Sequence, residues 1–171
     1  GRFADKHGVG DKYIRSLADW GGVVPVLVPS LLERVEDREA WARDLLSRMD
    51  GVVLAGNPSN VHPSCYGQSV EAHHPPFDEP RDELALLLAP IALEMGGPIL
   101  GVCRGLQELN VCRGGSLKTL PEPGTEAPRG EALSHGFPEG PPDVQYGASH
   151  VVNMKPTGQL AAIIGGDTLE V

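Results

Sequence analysis

The sequence predicts an α/β protein, with helices layered on a mostly parallel sheet, and three observations carry that expectation. Short continuous apolar runs closed by glycine or proline, at residues 51–56 and 98–102, read as strands, the first in the form expected of a strand buried on both faces. Segments with apolar residues three and four apart fall between such runs and read as helices. Helix and strand alternate along the chain, the pattern that builds parallel sheets, whose sites lie at the carboxyl ends of the strands.

Taken in order, Tyr13, Ile14, Leu17 and Trp20 recur at helical spacing within residues 9–20, and Gly21 and Gly22 stop the pattern. The valine-rich residues 23–28 contain Pro25, so they are expected as a strand that is partly unpaired or lies at an edge. Asp37 opens a second helix with Trp41, Leu45 and Met49 on one face, and the 51–56 strand follows. Residues 57–80 form a long polar loop broken by prolines, of the kind that covers or lines a site. Residues 82–95 are helical by composition, with Pro90 expected to kink or offset them. After the 98–102 strand, a helix over 104–111 turns Leu106 and Leu109 to the sheet. Residues 121–143 hold six prolines and four glycines and read as an irregular excursion. A strand at 150–154, a short helix at 159–164 and the start of a strand at 168–171 complete the chain.

Composition narrows the function. With 171 residues and 40% apolar content the chain can build one core and is expected to be a single domain over 1–171. Fourteen basic against 23 acidic residues give a formal charge of −9 without basic clusters, which argues against nucleic acid and anionic membrane as partners. The longest apolar stretch, 84–93, is too short for a membrane span. Cys65, Cys103 and Cys112 make no paired pattern, so a reducing cytoplasm is the expected compartment. His62, His73, His74 and Cys65 share one loop, but their spacing matches no common zinc pattern, and no metal or other cofactor is expected.

The sharpest chemical feature is Gly101-Val102-Cys103-Arg104-Gly105, between a buried strand and a helix. A tight strand-to-helix turn with flanking glycines is the form of a nucleophile elbow, here with cysteine in the serine position. At a helix N-terminus the dipole and the free N–H groups favour the thiolate, and the N–H groups from Arg104 onward can donate to an oxyanion. The alternative is that Cys103 is a small buried residue and the glycines only permit close packing. Cys112, inside the following helix, reads as a core cysteine.

Three segments carry a wider resemblance: PILGVCRGLQELNVCRGGSL (98–117), GNPSNVHPSCYG (56–67) and DEPRDELAL (78–86). Together with DKYIRSLADWGGVVPVLVPS, QYGASHVV and IIGGDTLEV they extend it over nearly the whole chain. The chain resembles the class I glutamine amidotransferase-like hydrolases, and within them the peptidase C26 type, the gamma-glutamyl-gamma-aminobutyrate hydrolases of polyamine breakdown. The resemblance implies a flavodoxin-like three-layer α/β/α domain that hydrolyses a gamma-glutamyl amide through a Cys-His-Glu triad and a glutamyl thioester. It places the nucleophile at Cys103 and the oxyanion hole at the backbone of Arg104 and of the Gly56-Asn57 turn. Gln107 matches a glutamine that holds the glutamyl group, with a helix-surface amide as the alternative. Asn60 and Tyr66 are candidates for substrate contact from the overhanging loop, and His150 for a substrate-side role. A small gamma-glutamyl amide is the expected partner, and a homodimer is an open possibility.

Two departures accompany the resemblance. In the family a first strand precedes GRFAD, and the catalytic histidine and glutamate follow the strand that begins near Thr168, so the domain is expected to lack its first strand and its carboxy-terminal part here. Lys118 stands where the family commonly has histidine after GGSL. The alternative functions are a catalytically silent gamma-glutamyl or amino-acid-binding domain, and the glutaminase subunit of a synthase.

Overall fold

The computed structural model describes residues 2–3, 6–71, 75–118, 140–141, 144, 147–148 and 150–171. His73, His74 and nearly all of the 121–143 excursion lie outside them. The chain forms two compact units, Gly1–Thr119 and Leu120–Val171.

In the first unit Arg2–Phe3 (β1) and Lys6–His7 (β2) pair antiparallel. Helix α1 (Asp11–Arg15) runs into a π-helical turn at Ser16–Trp20, where the Gly21 N–H donates to the Ser16 carbonyl at 3.1 Å. This wider turn rotates Trp20 off the face that a 3.6-residue repeat assigns to it, and Trp20 is 89% exposed. Its expected grouping with Tyr13, Ile14 and Leu17 is therefore corrected. Residues 23–28 join no ladder among the described residues, since Pro25 lacks an N–H and the surrounding valines are exposed.

Asp37 starts α2 (Arg38–Ser47) as the sequence predicts: its carboxylate accepts the Ala40 N–H at 3.0 Å. The buried stripe runs through Ala42 and Leu46, one position along from Trp41 and Leu45, which pack partly buried beside it. Strands β3 (Val52–Leu54) and β4 (Ile99–Gly101) pair in parallel, Val52 opposite Ile99 and Leu54 opposite Gly101. Val52 and Val53 of β3 are half-buried and Leu54 is buried, whereas Leu100 of β4 is 57% exposed.

Between these strands lies α3 (Glu79–Glu94), which starts three residues earlier than its composition suggests. Pro80 is the reason: in the first turn a missing N–H costs nothing, because that donor has no intrahelical acceptor. Pro90 does not end the helix; it sits exposed, so only one surface hydrogen bond is lost. The helix is buried from two sides. Leu84, Leu88, Ile91 and Ala92 pack with Leu32, Ala42 and Leu46, while Ala85 and Ala89 pack with Leu54 of β3. Helix α4 (Arg104–Cys112) follows β4 directly and places Leu109 and Cys112 against the second cluster. Leu106 points away from the sheet and is exposed, contrary to its expected role, because the buried face of α4 is taken by Arg104, Glu108 and Val111.

In the second unit β5 (Val151–Asn153) and β6 (Thr168–Glu170) pair antiparallel around α5 (Gln159–Ile164). Gly165, at φ +79°, closes α5 before the chain runs back along β5. The secondary structure is thus α/β with one parallel pair, but among the described residues the ladders are three two-stranded sheets, two of them antiparallel. No described helix is long and apolar enough to cross a membrane.

Candidate active site

Parallel pairing sets the site. The ladder extends past both strands as Val102 N–H donates to the Leu54 carbonyl at 2.9 Å, so residues 55–57 and 102–104 leave the sheet side by side. Cys103 is the N-cap of α4 and stands at φ +53°, ψ −110°. It is the only non-glycine at positive φ among the described residues, a conformation that costs about 1–3 kcal/mol and persists only where neighbours over-determine it. Those neighbours are close. A Cβ on Gly101 would lie 2.6 Å from the Gly105 carbonyl oxygen, and one on Gly105 would collide with the Leu54 carbonyl. Glycine at both positions is what lets the turn close, and the Cys103 side chain is left exposed.

The backbone of Gly56 lies against the cysteine: a Cβ there would be 3.2 Å from the Cys103 Cβ and would overlap the Tyr13 hydroxyl. Among the described residues the N–H groups of Gly56, Asn57 and Arg104 donate to no other group. Free donors at a helix start beside an exposed thiol are the elements needed to hold an oxyanion. The other thiols differ. Burial pushes the Cys112 thiol up, and at Cys65 the packing around the sulfur does the same, assisted by the Asp82 charge.

Behind the turn is a buried ionic network that the sequence reading missed. Arg81 donates to both Glu108 oxygens, at 2.8 and 3.1 Å, and to the Ala55 carbonyl. Arg104 donates to Glu108, to Asp82 at 2.5 Å, and to the carbonyls of Ser59 at 3.0 Å and Asn60 at 3.2 Å. Asp82 also accepts the His62 N–H at 3.0 Å. Burial pushes the Asp82 carboxyl above the ordinary aspartate range, against the pull of the His62 N–H and of Arg104. Two guanidinium groups meet two carboxylates, so the cluster is neutral as a whole. Removing a single member would leave an uncompensated buried charge, at a cost of about 3–5 kcal/mol.

The remaining predicted residues divide by place. The Asn57 side chain accepts the Ser59 N–H at 2.9 Å, closing a local turn. Asn60 bridges to Phe77, donating its N–H to the Pro76 carbonyl at 2.8 Å, so the loop is tied across its base. Tyr66 ends a 3₁₀ turn at Pro63–Tyr66 that His62 caps, and burial pushes its phenol up. His62 packs edge-on against Phe77, with ring centroids 4.6 Å apart. Gln107 is half-buried, and its Oε1 is buried without a hydrogen-bond partner among the described residues. His150 belongs to the second unit, where it exchanges backbone hydrogen bonds with Val171 at 2.8 Å. Lys118 is exposed. No described group of three or more His, Cys, Asp or Glu side chains is arranged to hold a metal ion.

Two signals for the missed residues were present in the sequence. Arg104 and Glu108 are an i,i+4 pair on the helix that carries the elbow, and Arg81-Asp82 interrupts the apolar face of α3. Tyr13 was counted as an apolar contact, and its hydroxyl reaches Gly56 only through the packing of α1.

Comparison with known proteins finds relatives along most of the chain. Gamma-glutamyl-gamma-aminobutyrate hydrolase PuuD of Escherichia coli (strain K12) is 38% identical over 157 residues, covering 90% of this chain and 56% of that protein. The protein of the same name from Shigella flexneri is 37% identical over 157 residues, with the same coverage. The chain therefore spans a little over half the length of the relatives it matches. The Peptidase C26 profile matches residues 3–171, and the chain belongs to the Peptidase C26 family.

Proposed function

We propose that the protein is a hydrolase that cleaves the gamma-glutamyl amide bond of gamma-glutamyl-gamma-aminobutyrate or a similar gamma-glutamyl amine, with Cys103 as nucleophile. The observation that carries this reading is the strained, exposed Cys103 at the start of α4, with the Gly56 backbone against it. In the proposed reaction the Cys103 sulfur attacks the gamma-carbonyl carbon, and the developing oxyanion accepts hydrogen bonds from the Gly56, Asn57 and Arg104 N–H groups. The C–N bond breaks and the amine leaves with a proton, which a positioned histidine of the family's triad supplies. Water then hydrolyses the glutamyl thioester, releasing glutamate and the thiol. This chemistry draws on no metal or organic cofactor.

Gln107 serves the substrate in this reading, its unpartnered Oε1 accepting from the glutamyl ammonium, and Asn60 and Tyr66 contribute on the substrate side. The test is release of free glutamate from gamma-glutamyl-gamma-aminobutyrate by the full-length protein and by Cys103→Ala. Turnover is expected to vanish in the folded variant, and a mass increase of one glutamyl group on Cys103 is expected in rapidly quenched wild type. Wild-type turnover by the variant would sink the mechanism, and ligand-induced stabilisation of the wild type without turnover would identify a binding domain instead.

A further inference from the structure

The buried network touches the backbone at three carbonyls, those of Ala55, Ser59 and Asn60, which bracket the Gly56-Asn57 turn. The first of these has a geometric consequence. The Ala55–Gly56 peptide is trans, and in a trans peptide the carbonyl and the following N–H lie in one plane and point opposite ways. Holding the Ala55 oxygen therefore fixes the direction of the Gly56 N–H. Arg81 does the holding, and its fork is itself locked in place by the two bonds to Glu108. From this geometry we infer that Arg81 is a positioning residue for the oxyanion hole: its grip on the Ala55 carbonyl aims the Gly56 N–H at the space beside Cys103.

The inference rests on the hydrolase reading for its catalytic consequence, although the peptide orientation exists apart from it. Three features separate it from ordinary core stabilisation. Arg81 is a charged residue on α3, two elements away from the elbow, yet it spends a donor on the one peptide that adjoins Cys103. Glu108 links it to Arg104, whose guanidinium holds the far side of the same loop and whose own N–H is a second candidate donor. Gly56 has no side chain to orient its peptide, and bulk there is barred by Tyr13 and Cys103, so the orientation has to be imposed from the carbonyl side.

The test is the paired variant Arg81→Met with Glu108→Gln, which leaves Arg104 balanced by Asp82 and avoids a stranded buried charge. In the full-length protein, with gamma-glutamyl p-nitroanilide as the chromogenic probe, kcat is expected to fall by about 10²-fold, the effect of losing one oxyanion donor, while KM stays within about threefold. A crystal structure of the same variant is expected to show the Ala55–Gly56 peptide rotated from its wild-type orientation. Unchanged kcat in the folded variant, or a peptide that keeps its orientation, overturns the inference. A wild-type protein that hydrolyses no gamma-glutamyl amide sinks the hydrolase reading, and the peptide orientation in the variant still decides the role of Arg81.

Discussion

At the scale of single residues, three cysteines in three settings show how environment sorts identical side chains. Cys112 lies in α4 against Leu54 and Ala89, and burial pushes its thiol up. Cys65 is reachable from solvent, but the packing around its sulfur and the nearby Asp82 push its thiol up as well. Cys103 is exposed at the N-terminus of α4, with nothing packed over its side chain. Alkylation by iodoacetamide near pH 7.5, followed by peptide mass spectrometry, is therefore expected to modify Cys103 faster than Cys65 or Cys112, whose raised thiols supply less of the reactive thiolate. Equal rates at the three positions would mean that the packing around Cys65 and Cys112 does not hold those thiols back.

At the scale of elements, the helices owe their limits to particular residues. Asp37 caps α2 through its bond to the Ala40 N–H, and Ala42 and Leu46 then bury one stripe against α3. Asp37→Ala is expected to destabilise the protein by about 1 kcal/mol, read as a lowered urea midpoint with an unchanged slope. A change well below that would show that the cap bond is replaced by water at no cost. The exposed pairs that link α2 to α3, Arg38 with Glu83 and Arg43 with Glu94, add little beside this, because solvent screens them. The starts of α2 and α4 and the strand cores were legible beforehand, since glycine and capping residues act within a few positions of themselves, whereas α3 begins three residues before the expected position. The π turn at Ser16–Trp20 was not, because its periodicity departs from the repeat by which helical faces are assigned.

At the scale of the whole molecule, protection should follow burial. Helix α3 is packed on two sides, by the α2 cluster and by the β3 cluster, whereas residues 22–30 join no ladder and α5 buries only Ala161. Hydrogen exchange followed by mass spectrometry is expected to find amides 84–92 the slowest in the first unit and those of 22–30 among the fastest. Fast exchange throughout α3 would contradict the double burial. The antiparallel pairing of β5 with β6 belongs to this scale as well, because three-residue strands carry no mark of the direction in which they will pair.

The sequence alone determined the α/β character, the positions of β3, β4 and α4, and the cysteine turn between the last two, because each depends on local rules of periodicity, glycine placement and capping. The resemblance to the family also put Gly56 and Asn57 beside that turn. Only the tertiary structure decided what surrounds the turn. Arg81 and Asp82 of one helix meet Arg104 and Glu108 of the next, more than twenty residues along the chain, because an arginine or carboxylate can be buried only where an opposite charge and backbone carbonyls are already waiting. That condition is a property of packed surfaces facing one another. A linear pattern does not express it, and so the residues that hold the site in shape came to light only in three dimensions.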